Sequence, residues 1–271
     1  MFAAVIPAQN EDLHIREVIN NLLQLSLDLI IPVVNGSQDQ TLNICLSFSS
    51  PKLHILHTPL PLGIDIPRAA GAHFAYQMGA QGVLFIDGDM NGDLCLPLQQ
   101  LINSIKSGTD CALTNCYPYI QSRHPLARKV LKYREVLNRE INLFHQLGLA
   151  SPSHGPHAIS RLLLDSIPVT TLAIPPLEIT CAQITGLRVH VAAAIPHLLL
   201  GSREKSPLHN KMVAETIIGD CLEALAFLKG TIPDRKEKGI LYDGYHSSRR
   251  FDLLEGFLND QGIIQIFHLG K

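Results

Sequence analysis

The chain has 271 residues, 46% hydrophobic and 17% charged, which fits a folded globule with a large core and excludes a disordered segment. Its 22 Lys and Arg against 24 Asp and Glu give a formal charge of −2. That balance excludes the basic footprint of a general nucleic-acid binder and leaves any grip on an anion to local groups.

Met1 to Pro7 is apolar, carries no basic residue and meets a proline, so it reads as a buried strand and not as a signal peptide. From there short apolar runs alternate with helical spacings, the pattern of a parallel sheet built from βαβ units. Phe2–Pro7 predicts the first strand, and Leu13, Val18, Leu22 and Leu25 predict a helix over 11–25. Leu29–Val34 is the second strand, followed by a turn at Asn35-Gly36-Ser37 and a helix from Gln38. Leu53–His57 predicts a third strand, Ile66–Met78 an alanine-rich helix, Gly82–Ile86 a fourth strand, Leu94–Ile105 a helix and Asp110–Cys116 a fifth strand.

The second half is less regular. A basic helix is expected over Pro125–Leu147, a short strand at His157–Ser160, a helix over Pro176–Ile184, a strand at Arg188–Ile195, a helix over Leu208–Lys229 and an amphipathic segment at Phe251–Leu258. No repeat or linker interrupts the chain, so one domain is expected. The longest apolar stretch outside the N-terminus, 189–201, holds two histidines and a proline and falls short of the ~20 residues that cross a bilayer. The six cysteines form no C-x-x-C pair and are expected as free, buried thiols of a reducing compartment.

The fourth strand ends in Asp87-Gly88-Asp89. In an open α/β sheet the carboxyl edge of the strands is where ligands bind. Alternation along extended backbone turns both aspartates to one side, and Gly88 lets a ligand approach the main chain. Two hard oxygen donors there suit Mg²⁺ or Mn²⁺ with phosphate oxygens and water completing the shell. A solvated Asp-Gly turn is the plainer alternative.

Taken in order, Pro7-Ala8-Gln9-Asn10-Glu11, Asn35-Gly36-Ser37-Gln38-Asp39-Gln40-Thr41, the Gly63, Arg68, Gly71, Ala75 series and Asp87-Gly88-Asp89 resemble the family-2 glycosyltransferases of GT-A fold over residues 2–115. The resemblance implies an α/β, Rossmann-like, mixed and mainly parallel sheet flanked by helices. Residues 1–120 would form the nucleotide-sugar half, and 121–271 the acceptor half with the C-terminal helices. It implies transfer of a hexosyl group from a UDP- or GDP-sugar, with Mg²⁺ or Mn²⁺. Pro7, Ala8 and Glu11 would line the base and ribose pocket, and Ser37 and Asp39 would meet the base. Gly63 and Arg68 would belong to the pyrophosphate segment. Asp87 and Gly88 would contact ribose or sugar at the reaction centre, and Asp89 would ligate the metal. The family often has an acid where this chain has Val34-Asn35, which puts the amide of Asn35 against the nucleotide and leaves the base open.

The resemblance weakens in the acceptor half, where Pro176–Val189 followed by apolar residues is similar to the subgroup near glucosyl-3-phosphoglycerate synthases and polyprenyl-phosphate sugar transferases. His154 to Arg161 is similar to the family's glycine-led strand beside the donor sugar. Glu178 stands where inverting members keep a general base, although some relatives retain configuration and need none. Gly201 to Lys205 resembles a loop that closes over the diphosphate, with Lys205 as a phosphate contact and His209, or His197, as a further metal ligand. The acceptor is left open among a small molecule, a polyprenyl phosphate and a glycan.

The basic helix with Arg123, Arg128, Lys129, Lys132, Arg134 and Arg139 reads first as a solvated face. An anionic acceptor or a peripheral membrane contact is the alternative. The expected location is cytoplasmic, and a homo-oligomer is compatible with the sequence. Two other functions fit the layout: a nucleotidyltransferase, against which the Pro7–Glu11 turn stands in place of a glycine-rich loop, and a non-catalytic sugar-nucleotide sensor, against which the intact aspartate pair stands.

Overall fold

The computed structural model describes residues 1–119, 124–202 and 205–269. Continuous apolar runs form strands covered on both faces: β1 (Phe2–Ala8), β2 (Leu29–Asn35), β3 (His54–Thr58) and β4 (Gly82–Phe85). β5 (Cys111–Asn115), β6 (His157–Ser160) and β7 (Val189–Ala194) continue the sheet. A two-stranded ribbon, β8 (Lys236–Glu237) and β9 (Ile240–Leu241), stands apart, and β10 (Gln265–His268) returns to the sheet edge. The eight-stranded sheet runs β10-β3-β2-β1-β4-β6-β5-β7.

The sheet is mixed. β1 pairs in parallel with β2 and β4, β2 with β3, and β5 with β7, while β10, and β6 on both its sides, pair antiparallel. The expected α/β architecture holds, and β6, not β5, lies beside β4. Because β6 runs against β4, its first residue His157 pairs with Phe85 at the end of β4. This brings the segment before β6 to the edge that carries the aspartates.

Helices cover both faces. On one side α1 (Ile15–Leu23), α2 (Thr41–Leu46) and α4 (Cys95–Lys106) pack on Ala4, Ile6, Ile30 and Val34. On the other, α3 (Ile66–Gln77), α5 (Pro125–Glu140), α8 (Pro175–Ile184), α9 (Pro207–Leu228) and α10 (Phe251–Leu258) bury Ala3, Val5, Ile31 and Val33. The alternation of inward residues along β1 and β2 therefore feeds two cores. Gly71 sets the distance of α3 from β1: a Cβ there would lie 2.4 Å from Val5 Cγ1.

Three expectations shift. Helix α1 starts at Ile15 rather than 11, because the backbone N–H groups of Glu11 and Asp12 bond Thr41 and Asp39 across to the next loop. The long helix over 125–147 divides into α5 and the short α6 (Phe144–Leu147), with Asn142 left-handed at φ 59 between them. Asn138 Nδ2 stabilises the break by donating to the carbonyls of Gly148 and Ala150 at 2.9 and 3.1 Å. A further short helix, α7 (Arg161–Ser166), follows β6 with Ser160 as its N-cap.

All six cysteines are free, and all but Cys95 are buried. Among the described residues no helix is long and apolar enough to cross a membrane.

Candidate active site

The ends of β1, β2 and β4 converge at one sheet edge. Gly88 is buried there, and its N–H donates to the Pro7 carbonyl at 3.0 Å. A Cβ on Gly88 would lie 3.0 Å from that carbonyl and 3.4 Å from both Ala8 Cβ and Glu11 Cγ. The absence of a side chain thus seats Asp87 and Asp89 against the loop that carries Glu11. Past β4 the expected extended alternation gives way to a turn at Gly88-Asp89, closed by Met90 N donating to the Asp87 carbonyl at 3.1 Å, and the side chain of Asp87 is 32% exposed and that of Asp89 13%.

Glu11, Asp89 and Asp87 form an acidic group into which Lys205 projects. Its Nζ lies 3.2 Å from Asp89 Oδ2 and 3.5 Å from Glu11 Oε1. Burial, with the Asp89 and Asp87 charges, raises Glu11 to about 7 against the opposing pull of Lys205. Burial also works against the Lys205 charge, but Asp89 and Glu11 outweigh it and raise the lysine. The neighbouring Arg203 and Glu204 of the expected closing loop lie outside the described residues.

The loops after β1 and β2 are stitched together. Asn10, left-handed at φ 56, donates its N–H to Ser37 Oγ at 3.1 Å, and its side-chain oxygen accepts from Gln38 N at 2.8 Å. Asp39 Oδ1 accepts from Thr41 N at 2.9 Å and Oγ1 at 2.6 Å, and Oδ2 accepts from Asp12 N at 3.2 Å. Partial burial opposes the charge of Asp39, but these bonds hold its carboxyl below the usual range. Asp39 and Ser37 thus brace the two loops against each other.

Three expected nucleotide contacts have other work. Asn35 is 3% exposed, donates to the carbonyls of Ala8 and Val33, and accepts from Leu62 N at 3.0 Å. Its amide is consumed as a staple between three segments. Gly63, at φ 83, has no room for a side chain because a Cβ would lie 2.4 Å from the Ser248 carbonyl. Arg68 is 8% exposed and does not face open space. Its Nη2 donates to Asp87 Oδ1 at 2.7 Å, and its Nη1 meets Asp65 Oδ1 at 3.0 Å and the Pro152 carbonyl at 3.3 Å.

Glu178, expected as a general base, is 1% exposed. Pro175-Pro176 open α8, and the first turn of that helix carries the carboxyl beneath the sheet. Cys111 Sγ lies 3.7 Å from Oε1, and His157 Nε2 is 3.6 Å from Oε2. The carboxylate is walled off from any acceptor at the edge. His209 Nδ1 lies 3.0 Å from the Tyr245 hydroxyl, which leaves Nε2 outside that pair. Burial and Lys205 depress its basicity, with Asp89 opposing. His197 Nδ1 lies 3.1 Å from His154 Nε2, and Tyr117 stacks on His154.

Sequence reasoning missed a series of buried ions in the C-terminal part. Asp65 Oδ2 meets Arg249 Nη2 at 2.9 Å, and Arg249 holds both oxygens of Asp220 at 2.7 and 2.8 Å. Arg235 joins Asp220 to Glu223 at 2.7 and 2.9 Å. Asp220, Glu223 and His246 come within metal-binding reach of one another. The two guanidinium groups already neutralise that set, which makes it a poor fit for a cation. The basic helix divides: Arg128, Lys129, Lys132 and Arg139 are exposed, Arg134 is 2% exposed, and Arg123 lies outside the described residues. Arg134 Nη2 reaches Ser153, whereas Nε and Nη1 have no hydrogen-bond partner among the described residues.

A mixed sheet with its carboxylates gathered where β1 and β4 end is the arrangement of a GT-A fold. The model of glycosyl transferase family 2 matches residues 3–166, and the chain belongs to that family. Among curated proteins none matches. Solved structures resemble it at low identity. Glucosyl-3-phosphoglycerate synthase from Mycobacterium tuberculosis with Mg²⁺ and UDP has a TM-score of 0.59 at 17% identity, covering 89% of this chain and 82% of that one. The same enzyme with Mn²⁺, UDP and glucosyl-3-phosphoglycerate gives 0.57 at 18%, with the same coverage. A mycobacterial protein gives 0.60 at 17%, covering 86% and 75%. At these identities the likeness is one of fold.

Proposed function

We propose that the chain transfers a sugar from a nucleoside diphosphate sugar, UDP- or GDP-linked, with Mg²⁺ or Mn²⁺ bound at Asp89. The observation that carries this reading is the convergence of Glu11 and Asp89 on the Lys205 ammonium group at the carboxyl edge of the sheet, with the Asp87 charge close enough to act on Glu11. A pocket that accommodates a cation between carboxylates, with solvent on one side, fits a divalent ion that takes one or two carboxylates and completes its shell from diphosphate oxygens and water. When bound, the ion neutralises charge that develops on the diphosphate leaving group.

The chain's own residues hold the site in place. Asp87, fixed by Arg68, faces the donor beside Asp89, and the loops after β1 and β2 frame the nucleoside. Lys205 exchanges its carboxylate partners for phosphate oxygens when donor and metal enter. The related synthase structures hold UDP with Mn²⁺ or Mg²⁺, which supports this choice of ligands.

For the acceptor, a small molecule with an anionic group is the reading that one further feature favours. Arg134 is a buried guanidinium with no carboxylate partner among the described residues, and burying an uncompensated charge costs several kcal/mol. An acceptor phosphate or carboxylate would supply the missing counter-charge once the Ser153 segment that Arg134 Nη2 bonds moves aside, since the guanidinium is closed to solvent as it stands. One of the related synthase structures contains phosphoglyceric acid, in keeping with that chemistry.

Calorimetric titration with UDP- and GDP-sugars, with and without Mn²⁺, tests the donor half. Metal-dependent binding of one donor supports it, and no binding of any nucleotide sugar overturns it.

A further inference from the structure

The loop between β3 and α3 is held from a distant part of the chain. Gly63 approaches so closely that its missing Cβ would strike the Ser248 carbonyl and come within 2.9 Å of Arg249 Cα. Arg250 N donates to the Leu62 carbonyl at 2.9 Å, and Arg249 Nε donates to the Ile64 carbonyl at 3.3 Å. Asp65 then sits in the left-handed region at φ 64, unusual for a residue with a side chain, and such strain persists only where surroundings enforce it. Its two oxygens are shared between two guanidinium groups, Oδ1 to Arg68 and Oδ2 to Arg249.

We propose that Arg249 is a positioning residue for the donor site, acting through Asp65 and Arg68 to fix the carboxylate of Asp87. The inference rests on the glycosyltransferase reading above. Every link is a charge-assisted contact of 2.7–3.0 Å: Arg249 to Asp65, Asp65 to Arg68, Arg68 to Asp87. Arg249 is fully buried on its side chain, and Asp220 anchors it through both oxygens, so its second arm toward Asp65 is held rather than free to wander. The clamp lies outside residues 3–166 that match the family, and it reaches back to three residues inside them. The C-terminal part thereby sets the aim of the donor aspartate.

A merely structural tie is the competing account, and Arg235 provides the control. It binds the same Asp220 and also Glu223, but does not contact Asp65. Arg249→Met and Arg235→Met are compared for melting temperature and for calorimetric affinity toward UDP and GDP with Mn²⁺, below both melting points. Both variants are expected to melt earlier. Arg249→Met is expected to lose about tenfold or more in nucleotide affinity, the scale on which small misplacements act. Arg235→Met is expected to stay within about twofold of wild type, since Asp220 still holds Arg249 through both oxygens and Arg235 does not itself contact Asp65. Arg249→Lys should not restore affinity, because one ammonium cannot hold both oxygens of Asp220 and also reach Asp65.

Should Arg249→Met fail to fold, Asp65→Asn takes its place, as it weakens both charge pairs without changing shape. Equal nucleotide affinity in wild type and the folded variant overturns the positioning role and leaves the donor site standing. Failure of wild type to bind any nucleotide overturns both.

Discussion

Lys205 and Asp89 form an ion pair of 3.2 Å at the end of β4, in the position where a divalent ion and a diphosphate are proposed to enter. The lysine ammonium and the ion compete for one carboxylate. Lys205→Ala is expected to bind Mn²⁺ about fivefold more tightly in the absence of nucleotide, which corresponds to the ~1 kcal/mol scale of a partly screened ion pair. The same variant should bind the nucleotide diphosphate more weakly, because a phosphate contact is lost. Manganese titration followed by electron paramagnetic resonance reads the first effect and calorimetry the second. Unchanged manganese affinity would separate Lys205 from the metal.

Glu11 makes stability depend on pH. Its folded-state pKa of about 7 stands above the ordinary 4.5, mainly through burial, so the native protein holds a proton that the unfolded chain releases. The sign follows: the contribution is fully present below pH 4.5 and is lost as pH rises to about 7. Over that window Glu11→Gln should flatten the fall in unfolding free energy by on the order of 2–3 kcal/mol. Denaturant melts of both proteins from pH 5 to 8 measure it, and parallel curves would refute the assignment.

Glu178 is enclosed by Cys111 and His157, away from the sheet edge. A general base contributes typically 10²–10⁴ in rate. Glu178→Gln keeps the shape and is expected to change kcat by less than about tenfold. A loss of several hundredfold, with the alkaline limb of the pH profile intact and the acidic limb gone, would return Glu178 to a catalytic role.

Asn35 bonds three backbone groups, so its removal should appear in stability before binding. Asn35→Ala leaves buried partners unsatisfied and is expected to cost roughly 2–3 kcal/mol. A thermal or urea melt checks this. A variant of unchanged stability with a raised KM for donor would show a direct nucleotide contact instead.

The donor edge was legible in the sequence because local signals coincide there. Apolar runs set β1, β2 and β4, and the polar residues that end them fall at one edge by the geometry of a parallel sheet. What the side chains do was less legible. Asn35 ends β2, Asp39 lies in the loop after it and Arg68 in the first turn of α3, yet all three bond to backbone or to other charges instead of facing open space. Nothing in single-residue chemistry distinguishes these outcomes.

The insertion of β6 beside β4 was hidden because strand order depends on pairing between distant segments. β10 was missed because Gln265–His268 is short, mostly exposed and at a sheet edge. Arg249 lies in a stretch with no periodic signal. Its partner Asp65 is 184 residues away, so no local spacing could reveal the pair.

Asp89 carries the central claim, and the most direct measurement is calorimetric titration of UDP and GDP into wild type and Asp89→Ala, each with and without Mn²⁺. The account expects Mn²⁺ to strengthen wild-type binding of one nucleotide by at least about tenfold, and expects Asp89→Ala to abolish that increment while its melting temperature stays close to wild type. An equal Mn²⁺-dependent gain in the variant would contradict a metal site at Asp89.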